Sequence, residues 1–181
     1  MSLESVYREA MALNTITDMG KRESAAKAFF EKLNRTTLPE KFNWAAEIFE
    51  GMHVKERGDQ PALIWTDLAT DAESRYTYKE LAANGNKFLN FARKNGVAKG
   101  DNLYMLTPIV PETWFASFAG IKGGLVSVPT ATSMTEREIQ FRFEAYKPDV
   151  IVAFEGLTDL VDDALQKADC TPKAKIVLGK K

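Results

Sequence analysis

Lys122-Gly-Gly-Leu-Val-Ser-Val-Pro129, with Pro108-Ile-Val-Pro-Glu112 before it and Thr135-Glu-Arg-Glu-Ile139 after it, decides how this chain folds. Gly123-Gly124 is a helix stop, because glycine takes the left-handed turn that ends a helix without a Cβ penalty. Leu125-Val-Ser-Val128 is then a short buried strand. Thr135 and Glu138 form a capping box, in which hydroxyl and carboxylate satisfy the first free N–H groups of the next helix. Helix stop, strand and helix start in this order are the punctuation of a parallel α/β sheet.

The same grammar extends on both sides. Pro61-Ala-Leu-Ile-Trp65 reads as a strand leading through the polar segment Thr66–Ser74 to a loop or hairpin. Thr77-Tyr-Lys-Glu80 is another capping box, opening a helix with Leu81, Gly85, Phe88, Leu89 and Ala92 on one side and a stop at Gly96. Leu103-Tyr-Met-Leu106 is a buried strand. Pro111 suits the first position of the next helix, in which Trp114, Phe115, Phe118, Ala119 and Ile121 predict burial on most sides. The helix after Thr135 is expected to bury Ile139, Phe143 and Tyr146 and to end at Pro148. Val150-Ile-Val-Ala-Phe154 is a strand, Leu157 to Ala168 a helix, and Ile176-Val-Leu178 a strand of central character. That last strand lies three residues before the final Lys181, so it is either an edge strand or part of something longer. Short continuous apolar strands alternating with helices predict an α/β fold: a mainly parallel sheet with helices on both faces.

Residues 1–40 read as a helical N-terminal extension, with Leu3, Val6, Tyr7, Ala10 and Leu13, then Ala25, Ala26, Phe29, Phe30 and Leu33, at helical spacing. Residues 41–181 are the α/β unit. It begins with a short helix capped by Asn43, bearing Trp44, Ala45, Ile48, Phe49 and Met52 on one face, and stopped by Gly51.

Composition narrows the function classes. The 181 residues carry 24 Lys and Arg against 25 Asp and Glu, a net charge of -1, so nothing calls for nucleic acid as partner. A single cysteine, Cys170, precludes an internal disulfide framework and suits the cytoplasm. No apolar run approaches the ~18 residues of a membrane span. His53 is the only histidine, which leaves no His/Cys/carboxylate set for a metal. Phosphate-loop patterns are absent: Gly120, Gly123 and Gly124 lie at a helix end, whereas a phosphate cradle needs strand, loop and then helix N-terminus. No residue reads as catalytic.

One constellation offers a ligand site. Thr130-Ala-Thr-Ser133 follows a strand at the carboxyl edge of a parallel sheet, where α/β folds bind ligands. Arg142, two turns into the next helix, could grip a phosphate with its planar fork. The competing reading is a helix-surface ion pair with Glu138, four residues earlier.

The motifs Thr77-Tyr-Lys-Glu-Leu81, Gly96-Val-Ala-Lys-Gly-Asp101, Pro108-x-x-Pro-Glu112, Gly120-Ile-x-Lys-Gly-Gly124 with Val128-Pro129, and Thr135-Glu-x-Glu-Ile139 occur in one register. Together they resemble the first part of the large domain of AMP-forming acyl-CoA synthetases, most closely the medium-chain type. The resemblance implies a two-step ligase: a fatty carboxylate attacks ATP, with Mg, to give an acyl-adenylate, and coenzyme A then displaces AMP. It further implies that the family's phosphate loop, ribose acid and lid lysine lie beyond Lys181, and that the rest of the adenylation domain and a C-terminal lid are partners. The 181-residue chain alone is therefore expected to be inactive and to carry no cofactor, weak coenzyme A binding excepted. By the same resemblance Thr130, Ala131, Thr132 and Arg142 correspond to positions that hold the coenzyme A nucleotide. A stand-alone Rossmann-like binding or structural module without catalysis is the alternative, and an apolar face left without neighbours would favour homo-oligomers.

Overall fold

The computed structural model describes residues 2–37 and 39–179; Lys180 and Lys181, the lysines that end the chain, lie outside the described residues. The chain divides into two compact units, residues 1–42 and 43–181.

The first unit is a pair of helices, α1 (Leu3–Leu13) and α2 (Met19–Asn34). Ser2 and Asp18 cap them by accepting from the N–H groups of Ser5 and Lys21 at 3.1 and 2.8 Å. Lys32 on α2 reaches Glu9 on α1 at 2.6 Å.

The second unit opens with a π-helix, Ala45–Val54, continued by the short helix α3 (Lys55–Arg57). Gly51 does not stop it. The helix runs through to Arg57, and the widened turn is seated by tertiary contacts: Phe49 packs on Tyr78 and Phe118 with ring centroids 5.2 and 5.1 Å away. Asn43 caps the start, its Oδ1 accepting from the Ala46 N–H at 3.0 Å. An antiparallel hairpin follows, β1 (Pro61–Asp67) and β2 (Ala72–Thr77).

The remaining elements are α4 (Tyr78–Lys94), β3 (Asn102–Leu106), α5 (Pro111–Gly123), β4 (Val126–Pro129), α6 (Glu136–Ala145), β5 (Val150–Phe154), α7 (Thr158–Lys167) and β6 (Ala174–Leu178). The last four strands form one parallel sheet in the order β4-β3-β5-β6.

Strand alternation divides the core between the two faces. Leu103, Met105, Val150 and Val152 point to the side of α4 and α5, where they meet Ala92, Val97 and Ala116. Tyr104, Leu106, Ile151 and Ala153 point to the side of α6 and α7, against Ile139, Phe143, Val161 and Leu165. The expected parallel sheet with helices on both faces is present. Between α4, α5 and the π-helix a third cluster forms from Ala45, Phe49, Leu81, Ala82, Phe115 and Phe118. Gly85 permits this approach, since a Cβ there would overlap the Phe118 ring.

Both capping boxes are formed, at Thr77/Glu80 and Thr135/Glu138. Gly124 ends α5 in the left-handed region at φ 67°. Three expectations need correction. Trp114 and Ile121 are 49% and 47% exposed, because α5 turns only one side to the sheet and α4. Tyr146 is 67% exposed, not buried: it sits past the last turn of α6 with extended backbone (φ −138°, ψ 92°), which swings its ring outward. The Leu125–Val128 run, expected as a buried strand, forms the open edge strand β4, with Val126 50% exposed; Ile176–Leu178 lies in the opposite edge strand β6, one of its two expected readings.

Candidate functional site

The carboxyl end of β4 leads into the Thr130–Ser133 loop. Thr130 is buried; its N–H donates to Met105 O at 2.9 Å and its hydroxyl to Val128 O at 3.2 Å. The hydroxyl is thus spent inside its own strand end. Ala131 and Thr132 are exposed at the tip of the turn.

Arg142 lies on α6, half-buried, on the wall of a groove between α6 and the edge strand β4. The groove encloses about 730 Å³ and is lined on the sheet by Tyr104, Val126 and Val128 and on the helix by Arg137, Phe141 and Tyr146. Behind it, the Tyr104 hydroxyl donates to the carbonyls of Arg142 and Tyr146 at 3.1 and 2.9 Å, tying the last turn of α6 to the central strand β3. Burial pushes the Tyr104 phenol above its ordinary pKa, with the Arg142 charge pulling the other way.

The Glu138–Arg142 ion pair, the competing reading of Arg142, is not formed. Glu138 folds back on the helix start, accepting from the Thr135 N–H and hydroxyl at 2.8 Å each. Those two hydrogen bonds, with a smaller contribution from Arg142, hold its carboxyl below the usual range. Among the described residues neither Arg137 nor Arg142 lies within ion-pair distance of a carboxylate. The structure therefore brings Arg142 together with Arg137 and an aromatic groove, while Thr130, Ala131 and Thr132 stand outside the groove lining. Sequence reasoning missed Arg137 and Phe141; the signal was their spacing of four, repeated by Arg142 and Tyr146 on the adjoining stripe.

A second cavity, about 540 Å³, lies between the hairpin and the carboxyl ends of β5 and β6. Trp65 and Tyr76 line it opposite Phe154, with Glu112 and Glu155 at its rim, and the Trp65 indole N–H donates to Ile109 O at 2.8 Å. Burial, then the charges of Glu112 and Glu80, raise the Tyr76 pKa.

His53 is buried in a structural setting, its Nδ1 3.1 Å from Arg57 Nη2, with the Arg57 guanidinium 4.7 Å over the Tyr78 ring. Cys170 is half-buried, with its Sγ 3.5 Å from Phe143 O. Among the described residues no group of three His, Cys, Asp or Glu could hold a metal ion. In the same residues no helix is long and apolar enough to cross a membrane.

The sequence pattern of the family described as "AMP-binding enzyme" matches residues 52–180, most of the α/β unit. The chain belongs to the AMP-binding enzyme family. Among curated members, 4-hydroxybutyrate–CoA ligase 1 of Metallosphaera sedula is 42% identical over 125 residues, covering 69% of this chain and 22% of its own. The mitochondrial acyl-coenzyme A synthetase ACSM4 of Mus musculus is 32% identical over 145 residues, covering 76% and 25%. The chain thus spans about a quarter of the length of these relatives. Solved structures share the fold. Acetoacetyl-CoA synthetase from Streptomyces lividans superposes with a TM-score of 0.68 at 24% identity, over 77% of this chain and 23% of its own. The anthranilate CoA ligase AuaEII does so with a TM-score of 0.67 at 21% identity, over 78% and 26%.

Proposed function

We propose that this chain is the N-terminal α/β part of the large domain of an AMP-forming acyl-CoA ligase of medium-chain type, joining a fatty carboxylate to coenzyme A at the expense of ATP. The observation that carries the reading is the family match across residues 52–180, with CoA ligases as the curated relatives. The reaction passes through an acyl-adenylate. Its phosphate loop and Mg have no counterpart among the described residues, so no step is assigned to this chain's side chains. The remainder of an adenylation domain and a C-terminal lid are its partners. The cytoplasm is its place, in keeping with one cysteine in 181 residues.

What the chain contributes is part of the coenzyme A nucleotide site. An Arg142 guanidinium with no carboxylate within ion-pair distance among the described residues fits a phosphate, which it can take bidentately. Exposed Ala131 and Thr132 leave room for a flat adenine near the turn, and Thr130 holds that turn to β3 through its N–H. Purified as 181 residues, the chain is expected to show no ATP–pyrophosphate exchange with octanoate. It is expected to bind coenzyme A about 1.5–3 kcal/mol more tightly than dephospho-coenzyme A, the range of a hydrogen bond to a charged group. Measurable exchange would sink the assignment of no catalysis to this part. Equal affinity for the two coenzymes, or none for either, would sink the nucleotide site.

A further inference from the structure

We propose that α6 carries a self-association seam, Arg137, Phe141 and Glu144, through which two copies of this chain pair antiparallel across a twofold axis. Spacings of four and then three residues place these side chains in one stripe along the helix. All three are exposed, Phe141 to 70%. Val126 and Tyr146, 50% and 67% exposed, border the same groove as the Phe141 ring. Apolar surface of this kind gains by being covered.

The charges at the two ends of the stripe select what covers it. Among the described residues Arg137 lies within ion-pair distance of no carboxylate, and Glu144 of no cation. Glu136, beside Arg137, is taken by Lys167 at 2.5 Å, and Glu144 meets the neutral amide of Gln140 at 2.7 Å. Seven residues apart, Arg137 and Glu144 stand about 10 Å from each other along the axis, too far to pair within one helix. A second α6 laid antiparallel over the first closes that distance. With the twofold axis beside Phe141, Arg137 of each copy meets Glu144 of the other, and the two rings lie together at the centre. Every contact is then made twice, as an isologous interface requires. Parallel pairing would instead set Arg137 on Arg137 and Glu144 on Glu144, and would align the two helix dipoles that the antiparallel arrangement opposes. Arg142 lies about 100° round the helix from Phe141, outside the seam, so the inference does not rest on the coenzyme A reading.

Sedimentation equilibrium of the 181-residue chain over about a hundredfold range of concentration tests it. A reversible monomer–dimer equilibrium is expected, with no larger species, because a twofold interface closes on itself. R137E and E144R each set like charges face to face and should raise the dimer dissociation constant at least about tenfold. The R137E/E144R double variant reverses both signs and should return it to within about threefold of the parent. An acid in the first turn of α6 and a base in the last suit the helix dipole, so these variants keep their fold, which far-ultraviolet circular dichroism checks. F141S should abolish dimerisation, and F91S, which removes an exposed ring from α4, should leave it unaltered. A chain that stays monomeric throughout would leave the face to another partner and overturn the proposal. So would dimers indifferent to the single charge reversals, dimers lost in F91S, or a double variant as weak as either single one.

Discussion

Glu138 places one carboxylate oxygen 2.8 Å from the Thr135 amide nitrogen, and Arg142 one turn further on is thereby left without its helical partner. A cap at the start of α6 sets the charge of the groove beside it. Thr135→Ala should cost about 1 kcal/mol of stability by loss of the N-cap, read from urea unfolding. It should also free Glu138 to pair with Arg142 and so weaken coenzyme A binding at that guanidinium. Adding Glu138→Gln should restore the binding and not the stability. If both recover together, the cap and the groove are not coupled as described.

Glu80 and Glu138 are held below their ordinary pKa by N–H and hydroxyl hydrogen bonds from Thr77 and Thr135. Asp101 is too: burial pushes it up, but hydrogen bonds from Lys173 and the Ala98 N–H, with the Lys173 charge, outweigh it. A carboxyl whose folded pKa is depressed stabilises the fold fully above its unfolded pKa, about 4, and that stability is lost as pH falls through the folded value. Melting temperature should therefore be level from pH 7 to 5 and fall below about pH 4. The E80Q/E138Q double variant should start lower and fall less steeply. Lys173, raised by Asp101 and Asp149, works at the other end. Its contribution is complete below the unfolded pKa, about 10.4, and disappears as pH rises past the folded one.

Lys122 places its ammonium 2.7 Å from both oxygens of Glu50 and 2.7 Å from Asn86 Oδ1, joining the π-helix, α4 and α5 in one polar knot. Both charged side chains are only about a quarter exposed, 23% and 26%. Lys122→Met should destabilise by about 1.5–3 kcal/mol, since it leaves Glu50 and Asn86 without their shared donor. Glu50→Gln combined with it should cost less than the sum of the two single changes. Strict additivity in that double-mutant cycle would mean the three groups are not coupled.

What could be read in the chain was local. Continuous apolar residues in β3 and β5, two capping boxes and the Gly123-Gly124 stop each act within a few residues, and all appear where the sequence puts them. Strand order is different in kind: β3 pairs with both β4 and β5 through contacts that no short window contains. So is the π-helix, whose widened turn depends on Phe49 meeting Tyr78 and Phe118 far along the chain. The Lys122 knot joins residues 72 and 36 positions apart. The candidate site was half readable. Arg142 stood out by its charge, but its freedom followed from where Glu138 turned, a choice between two local partners that spacing alone does not settle.

Phe143 and Tyr146 make that limit measurable. Helical spacing puts both on the core face of α6, yet Phe143 is fully buried against Tyr104, ring centroids 5.2 Å apart, while Tyr146 lies two-thirds exposed on the groove. Phe143→Ala should cost about 3–5 kcal/mol, the range for emptying an aromatic core site. Tyr146→Ala should change stability by no more than about 0.5 kcal/mol, as for a surface position; the Tyr104 hydroxyl bonds to its backbone carbonyl, which the substitution keeps. Chemical denaturation of the two variants separates them. A large loss at Tyr146 would return that ring to the core and close the groove.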